Sequence, residues 1–265
     1  MISNSTTSLK ASKIIQEGDP IPEMESLVTG GGFGFSVTKI DELDSTEYTL
    51  VTIAIDTSPS VDGFKDPLLL ALKNAVLGCK LSGRVDYILL RVVTFNSSLT
   101  EVHGFIPVVS IDPDSYDPFR CTALTALHDA IGEAVDATLI YGEQLKASDY
   151  KVNACVYIIT DGLNNDSRKY GVNDLAALLK DAVQGEKVSS LLSVLVGVNS
   201  NGRDNGRRIG DVLEELQEKV GISQYIDIGD ATPKQLAKLG GHISKSVSSQ
   251  SQRVAGWTVS QPIPF

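Results

Sequence analysis

The segment Tyr48–Ile55 runs without a charged residue through a mostly β-branched and apolar stretch and stops at Asp56. A strand with one solvated face would alternate polar and apolar residues, whereas a continuous run is buried on both faces, which calls for a parallel sheet covered on each side by helices. Tyr87–Phe95, interrupted only by Arg91, Val152–Thr160, Leu191–Val198 and the shorter Tyr225–Ile228 have the same character. Segments of helical spacing lie between them. Leu68, Leu72, Ala75, Val76 and Cys79 form one stripe of Phe64–Leu81, and Leu127, Ala130, Ile131, Ala134 and Val135 one stripe of Thr125–Leu145. Further helices are expected over Asn173–Val183, with Asn173 as N-cap, over Ile209–Val220, and after Thr232, with Pro233 in the first turn. Leu99–Val109 reads as an edge strand antiparallel to its predecessor. The fold class expected is α/β: a Rossmann-like, doubly wound, mostly parallel central sheet with helices on both faces and one antiparallel edge strand.

The 265 residues suffice for one large core without disulfide support. Residues 1–29, polar and with Pro20 and Pro22, are expected to form an N-terminal arm; residues 30–247 the domain; and residues 248–265 a C-terminal tail that Trp257 and Phe265 could dock. Gly30-Gly31-Gly32-Phe33-Gly34 lacks the Gly-Lys-Ser/Thr of a phosphate loop, so it reads as a turn into an extended segment over 35–40. The 23 basic residues against 33 acidic leave a net charge of −10, which argues against a general nucleic-acid binder. No stretch has the length and apolarity to span a bilayer. Cys79, Cys121 and Cys155 are odd in number and widely spaced, so they form neither a disulfide framework nor a zinc set. A cytoplasmic protein with buried, reduced cysteines is expected.

In an open parallel sheet, ligands bind beyond the carboxyl ends of the strands. Asp56-Thr57-Ser58-Pro59-Ser60 follows the first long strand and Thr160-Asp161-Gly162 the central one, while Thr122 and Thr125 stand at the start of a helix. Asp, Ser and Thr on three loops at one sheet edge make an all-oxygen donor set of the kind that suits Mg²⁺. Taken singly, each group has a plainer reading: Asp56, Ser58 and Thr125 as helix caps, and Asp161-Gly162 as a turn.

Together, Ile55-Asp56-Thr57-Ser58-Pro59-Ser60, Thr125-Ala126-Leu127-His128-Asp129-Ala130-Ile131 and Ile158-Ile159-Thr160-Asp161-Gly162 resemble the von Willebrand factor type A domain, over roughly residues 35–247. The run Thr160–Ser167 is similar to stand-alone bacterial and phage-type members rather than secreted animal ones. What the resemblance implies is a metal-ion-dependent adhesion site at Asp56, Ser58, Ser60, Thr125 and Asp161. It would hold Mg²⁺, with Mn²⁺ or Ca²⁺ as alternatives, and a Glu or Asp carboxylate of a protein partner would complete it. Two positions depart from the family pattern. Pro59 replaces a glycine, which a turn residue of negative φ tolerates. Ala123-Leu124 precede Thr125 where the family has glycine, which leaves Thr122 as a rival for the metal-facing hydroxyl; Thr125 is preferred because Ala130 and Ile131 then fall where the family packs its helix.

The function this implies is a non-enzymatic, metal-dependent protein-binding module in an assembly or adaptor role. A structural component braced by its metal is a second reading. A phosphohydrolase using Asp56 as nucleophile is a third, disfavoured because Ser58 stands where such enzymes place a general acid. Asp62 and Asp66 are expected to be a solvated helix start, and Arg203, Arg207 and Arg208 a solvated loop, unless those arginines steer an acidic partner.

Overall fold

The computed structural model describes residues 11–184, 187–252 and 262–265. The apolar runs form strands in one eight-stranded sheet. In chain order its strands are β1 (Met24–Val28), β2 (Gly34–Thr38), β3 (Glu47–Asp56), β4 (Ile88–Phe95), β5 (Leu99–Pro107), β6 (Lys151–Thr160), β7 (Ser190–Val198) and β10 (Gln224–Ile228). The short β8 (Arg203–Asp204) and β9 (Arg207–Arg208) pair only with each other. The order across the sheet is β1-β2-β5-β4-β3-β6-β7-β10, with β4, β3, β6, β7 and β10 mutually parallel.

Helices cover both faces, as the unbroken runs required. On one face, α1 (Lys65–Lys80) and α5 (Pro233–Ser251) pack Leu68, Leu72, Val76, Leu239 and Ile243 against Val51, Ile53 and Ile55. On the other, α2 (Leu127–Ala147), α3 (Val172–Gln184) and α4 (Ile209–Val220) pack against Leu50, Ala54, Val156 and Ile158. Helices α1 and α5 approach closely because each meets the other through a glycine. A Cβ on Gly240 would lie 2.6 Å from the Ala71 carbonyl oxygen, and one on Gly78 2.5 Å from the Ser244 Cβ. Thr232 caps α5 as expected, its hydroxyl accepting from the Gln235 N–H with Pro233 following. Asn173 does not cap α3: the helix begins at Val172, and the Asp174 carboxylate accepts from the Gly171 N–H instead. No helix among the described residues is long and apolar enough to cross a membrane.

The antiparallel side is wider than expected. Strand β5 is antiparallel to β4, but β2 lies outside it, and β1 outside β2. The approach of β2 depends on Gly104, where a Cβ would fall 2.0 Å from the Ser36 carbonyl oxygen. Residues 11–28, expected as part of a polar arm, therefore supply the edge strand β1 and the buried Ala11, Ile14 and Ile15. Their apolar residues are too few for visible periodicity: β1 pairs antiparallel with β2, and Ala11, Ile14 and Ile15 join the core that holds Leu68, Leu72 and Val76. The glycine run is the β1–β2 turn, with Gly32 at φ +81°. At the other end, α5 continues to Ser251, past the expected domain limit at 247. The Phe265 ring packs edge-on to His242 under the Lys238 ammonium, while Trp257 lies outside the described residues.

His103 on β5 is fully buried; its ring nitrogens meet the Gly104 carbonyl oxygen and the Tyr116 hydroxyl, each at 2.8 Å. Burial, reinforced by the Arg91 charge and opposed by the Gly104 hydrogen bond, pushes its pKa down to about 4. A group whose pKa is depressed on folding stabilises fully above its unfolded value and loses that contribution as pH falls toward the folded one. Between about pH 6.5 and 4, His103 should therefore cost on the order of 3 kcal/mol. Urea unfolding at neutral and acidic pH should show a shallower loss in His103→Gln; an unchanged slope would clear His103 of the effect.

Candidate metal centre

Parallel pairing of β3 and β6 puts Ile55 beside Ile159, so the two strands end together with Asp56 next to Thr160 and Asp161 one residue further on. Asp56 is buried, and both its oxygens are held. Its Oδ1 accepts from the Ser58 N–H at 2.8 Å and its Oδ2 from the Thr160 hydroxyl at 2.6 Å. The Ser58 and Ser60 hydroxyls lie 3.1 Å apart, and the Ser60 hydroxyl donates to Asp161 Oδ1 at 2.8 Å. Asp56, Ser58, Ser60 and Asp161 thus form one hydrogen-bonded chain across two loops. Pro59 opens a 3-10 turn over Pro59–Phe64, where its fixed φ fits.

Thr125 is buried and faces the same loop: its hydroxyl lies 3.7 Å from where a Cβ on Gly162 would stand. The capping readings do not account for these side chains. Ser58 and Ala126 are the N-cap positions of the 3-10 turn and of α2, and neither end carries a side-chain cap. The Thr125 hydroxyl has no hydrogen-bond partner among the described residues. Thr122 is exposed, and its hydroxyl accepts from the Asn96 amide at 3.3 Å.

The supporting residues are those that sequence reasoning passed over. The Asn165 carboxamide oxygen accepts from the Thr125 N–H at 2.7 Å, and the Thr125 carbonyl accepts from the N–H groups of Asn165 and Asp166. Asn164 and Ser167 accept from the N–H groups of His128 and Asp129. The Asp129 carboxylate in return takes the N–H groups of Arg168, Lys169 and Tyr170. The Asn-Asn-Asp-Ser run thus satisfies the open N-terminus of α2 from another loop. Its composition was the available signal, since such side chains bond readily to backbone N–H groups.

Ala123 holds φ +66°, a left-handed conformation that costs a residue with a Cβ about 1 kcal/mol or more. Ala123→Gly should therefore raise stability by roughly 1 kcal/mol in urea unfolding. A destabilised variant would mean that the Ala123 methyl contributes more than the strain costs.

Electrostatically, the site holds excess negative charge. Burial raises the Asp56 pKa, against the hydrogen bonds from Thr160 and Ser58. Burial also pushes Asp161 up to about 6; the nearby Asp56 adds to this, and the Ser60 hydrogen bond opposes it. Among the described residues, no lysine or arginine acts on either carboxyl. Two carboxylates and three hydroxyls, all oxygen, fit a hard divalent cation, whose charge would offset that desolvation. Among the described residues, no cluster of three or more His, Cys, Asp or Glu side chains offers a rival metal site. Asp62 is occupied by Lys65 at 2.7 Å. Arg207 pairs with Glu215, Arg208 with Asp211 and Asp227, and Arg203 donates to the Gly206 carbonyl, so this loop is braced internally.

No protein-family model matches the sequence, and no curated protein matches it. Solved structures do. The pilus adhesin SpaC from Lactobacillus rhamnosus GG, in its open conformation, aligns with a TM-score of 0.55 at 11% identity, over 89% of this chain and 35% of its own. Proximal thread matrix protein 1 from the mussel byssus, with a zinc-occupied metal-ion-dependent adhesion motif, aligns at 0.50 and 16% identity, over 78% of this chain and 47% of its own. The PilB minor pilin from Streptococcus sanguinis aligns at 0.50 and 12%, over 85% and 67%. At these identities the likeness is one of fold, an α/β Rossmann-like fold with a mostly parallel central sheet. The chain spans 35% of the SpaC adhesin and 47% of the mussel protein.

Proposed function

We propose that this chain is a metal-dependent protein-binding module in which Asp56, Ser58, Ser60, Thr125 and Asp161 hold a divalent cation, Mg²⁺ in preference to Mn²⁺ or Ca²⁺. The cation supplies a Lewis-acidic position for a Glu or Asp carboxylate of the partner. The observation that carries this reading is the pair of buried carboxylates, Asp56 and Asp161, joined through Ser58 and Ser60 with no cationic side chain among the described residues to neutralise them. The free Thr125 hydroxyl supports it, as does likeness of fold to adhesive and matrix proteins, one of which carries zinc at such a motif.

An assembly or adaptor role fits a domain whose site lies at the carboxyl ends of the central strands. Three widely spaced cysteines, an odd number, favour a reducing compartment such as the cytoplasm. A nucleophilic role for Asp56 is not favoured, because both of its oxygens accept hydrogen bonds and Ser58 offers no acid.

Titration calorimetry with Mg²⁺ or Mn²⁺ alone tests the site, and EDTA-sensitive binding of a Glu-containing peptide tests the module. One cation per chain and peptide binding only in its presence are expected. No heat and no thermal shift at millimolar metal would refute the reading.

A further inference from the structure

Thr57 and Thr122, which flank the metal loops and are joined by a 2.9 Å hydrogen bond from the Thr122 N–H to the Thr57 carbonyl, also line a pocket of about 480 Å³. Its apolar lining comes from Ile14, Leu72, Val102, Tyr116, Pro118 and Phe119. Lys13 and Asp117 at its rim pair with each other. Arg120, also on the rim, is exposed and has no ion-pair partner among the described residues. On a chain of net charge −10, a free cation beside an apolar cavity that shares its walls with the metal loops is a specific feature.

We propose that this pocket is the second anchor of the partner segment. A large apolar side chain near the metal-bound carboxylate enters the pocket, and a further acidic residue of the same segment pairs with Arg120. The occupant is thus an acidic peptide segment carrying an aromatic or leucine residue. The charge of Arg120 favours it, and an apolar anchor buried beside a polar rim is how interfaces concentrate their affinity. This inference rests on the proposed metal-dependent binding and adds what the partner must carry.

The test uses the full chain in Mg²⁺ and the fluorescence polarisation of labelled Gly/Ser peptides. One set carries a Glu alone, a second a Glu followed at increasing spacing by a Phe, and a third a second Glu after the Phe. At one spacing the Phe should tighten binding about tenfold, as expected for burying most of a ring. Thr100→Trp, which fills the pocket from an exposed position on β5, should remove that gain. The second Glu should add about threefold at low salt, as an exposed pair does, and Arg120→Glu should remove it. If calorimetry shows Mg²⁺ bound but no Phe spacing improves affinity, the pocket proposal is overturned and the metal site stands. If Mg²⁺ alone does not bind, the site reading fails and the pocket proposal falls with it.

Discussion

Asp161→Ala is expected to abolish divalent-metal binding while leaving a folded protein that is at least as stable without metal as the original chain. The carboxylate is buried beside Asp56 and carries no opposing charge, so its removal relieves both desolvation and repulsion. What disappears is the linkage to metal. A cation at about a hundred times its dissociation constant stabilises by roughly 2.7 kcal/mol. For a domain of this size that corresponds to a rise in melting temperature of about 5–10 °C. The original chain should show this rise on adding Mg²⁺ and lose it with chelator; Asp161→Ala should melt at one temperature in both conditions. Thr160→Val separates holding the metal from orienting its ligand. Losing the 2.6 Å hydrogen bond to Asp56 should weaken metal affinity about 10- to 100-fold without changing the fold. A full metal-induced shift in Asp161→Ala would move the site elsewhere.

The second large effect lies away from the site, in the pairing of Arg91 and Glu101 between β4 and β5. Arg91 is wholly buried at a register shift between Leu90 and Val92, and its Nε donates to Glu101 Oε2 at 3.4 Å. Its two terminal nitrogens find no hydrogen-bond partner among the described residues, and its guanidinium is ringed by Phe33, Phe35 and Phe105. Glu101 also takes the N–H and hydroxyl of Ser36, which ties β5 to β2. Glu101→Ala strands a buried cation and should cost about 3–5 kcal/mol in urea unfolding. The double variant Arg91→Met, Glu101→Gln removes both charges of the pair and should recover most of that loss, to within about 1–2 kcal/mol of the original. If the double variant is as unstable as Glu101→Ala, the ion pair itself holds the antiparallel side of the sheet.

The long elements were legible because burial on two faces leaves an unbroken apolar run, and burial on one helix face leaves a periodic stripe. Tyr48–Ile55 and Phe64–Leu81 lie within a residue or two of the observed strand and helix. Strand β1 was not legible. Met24–Val28 has one buried residue, Met24, and Gly104 opposite Ser36 has meaning only once β2 and β5 are neighbours. Arg91 read as an interruption in an apolar strand, whereas its burial rests on Glu101 and three rings brought from other segments.

The same division runs through the candidate site. Asp56, Ser58, Ser60, Thr125 and Asp161 could be named from the sequence because hard oxygen donors directly after apolar strands are a local pattern. Their joining into one hydrogen-bonded set depends on β3 and β6 pairing in parallel, and the roles of Thr160 and Asn165 depend on where their loops end up. Sequence alone determined which donors were available, because residue type and burial period are written along the chain. Only the tertiary structure decided which donors meet, which hydroxyl stays free and where uncompensated charge collects. Those outcomes are set by distances between segments some hundred residues apart, and hydrogen bonding and desolvation act over a few ångströms.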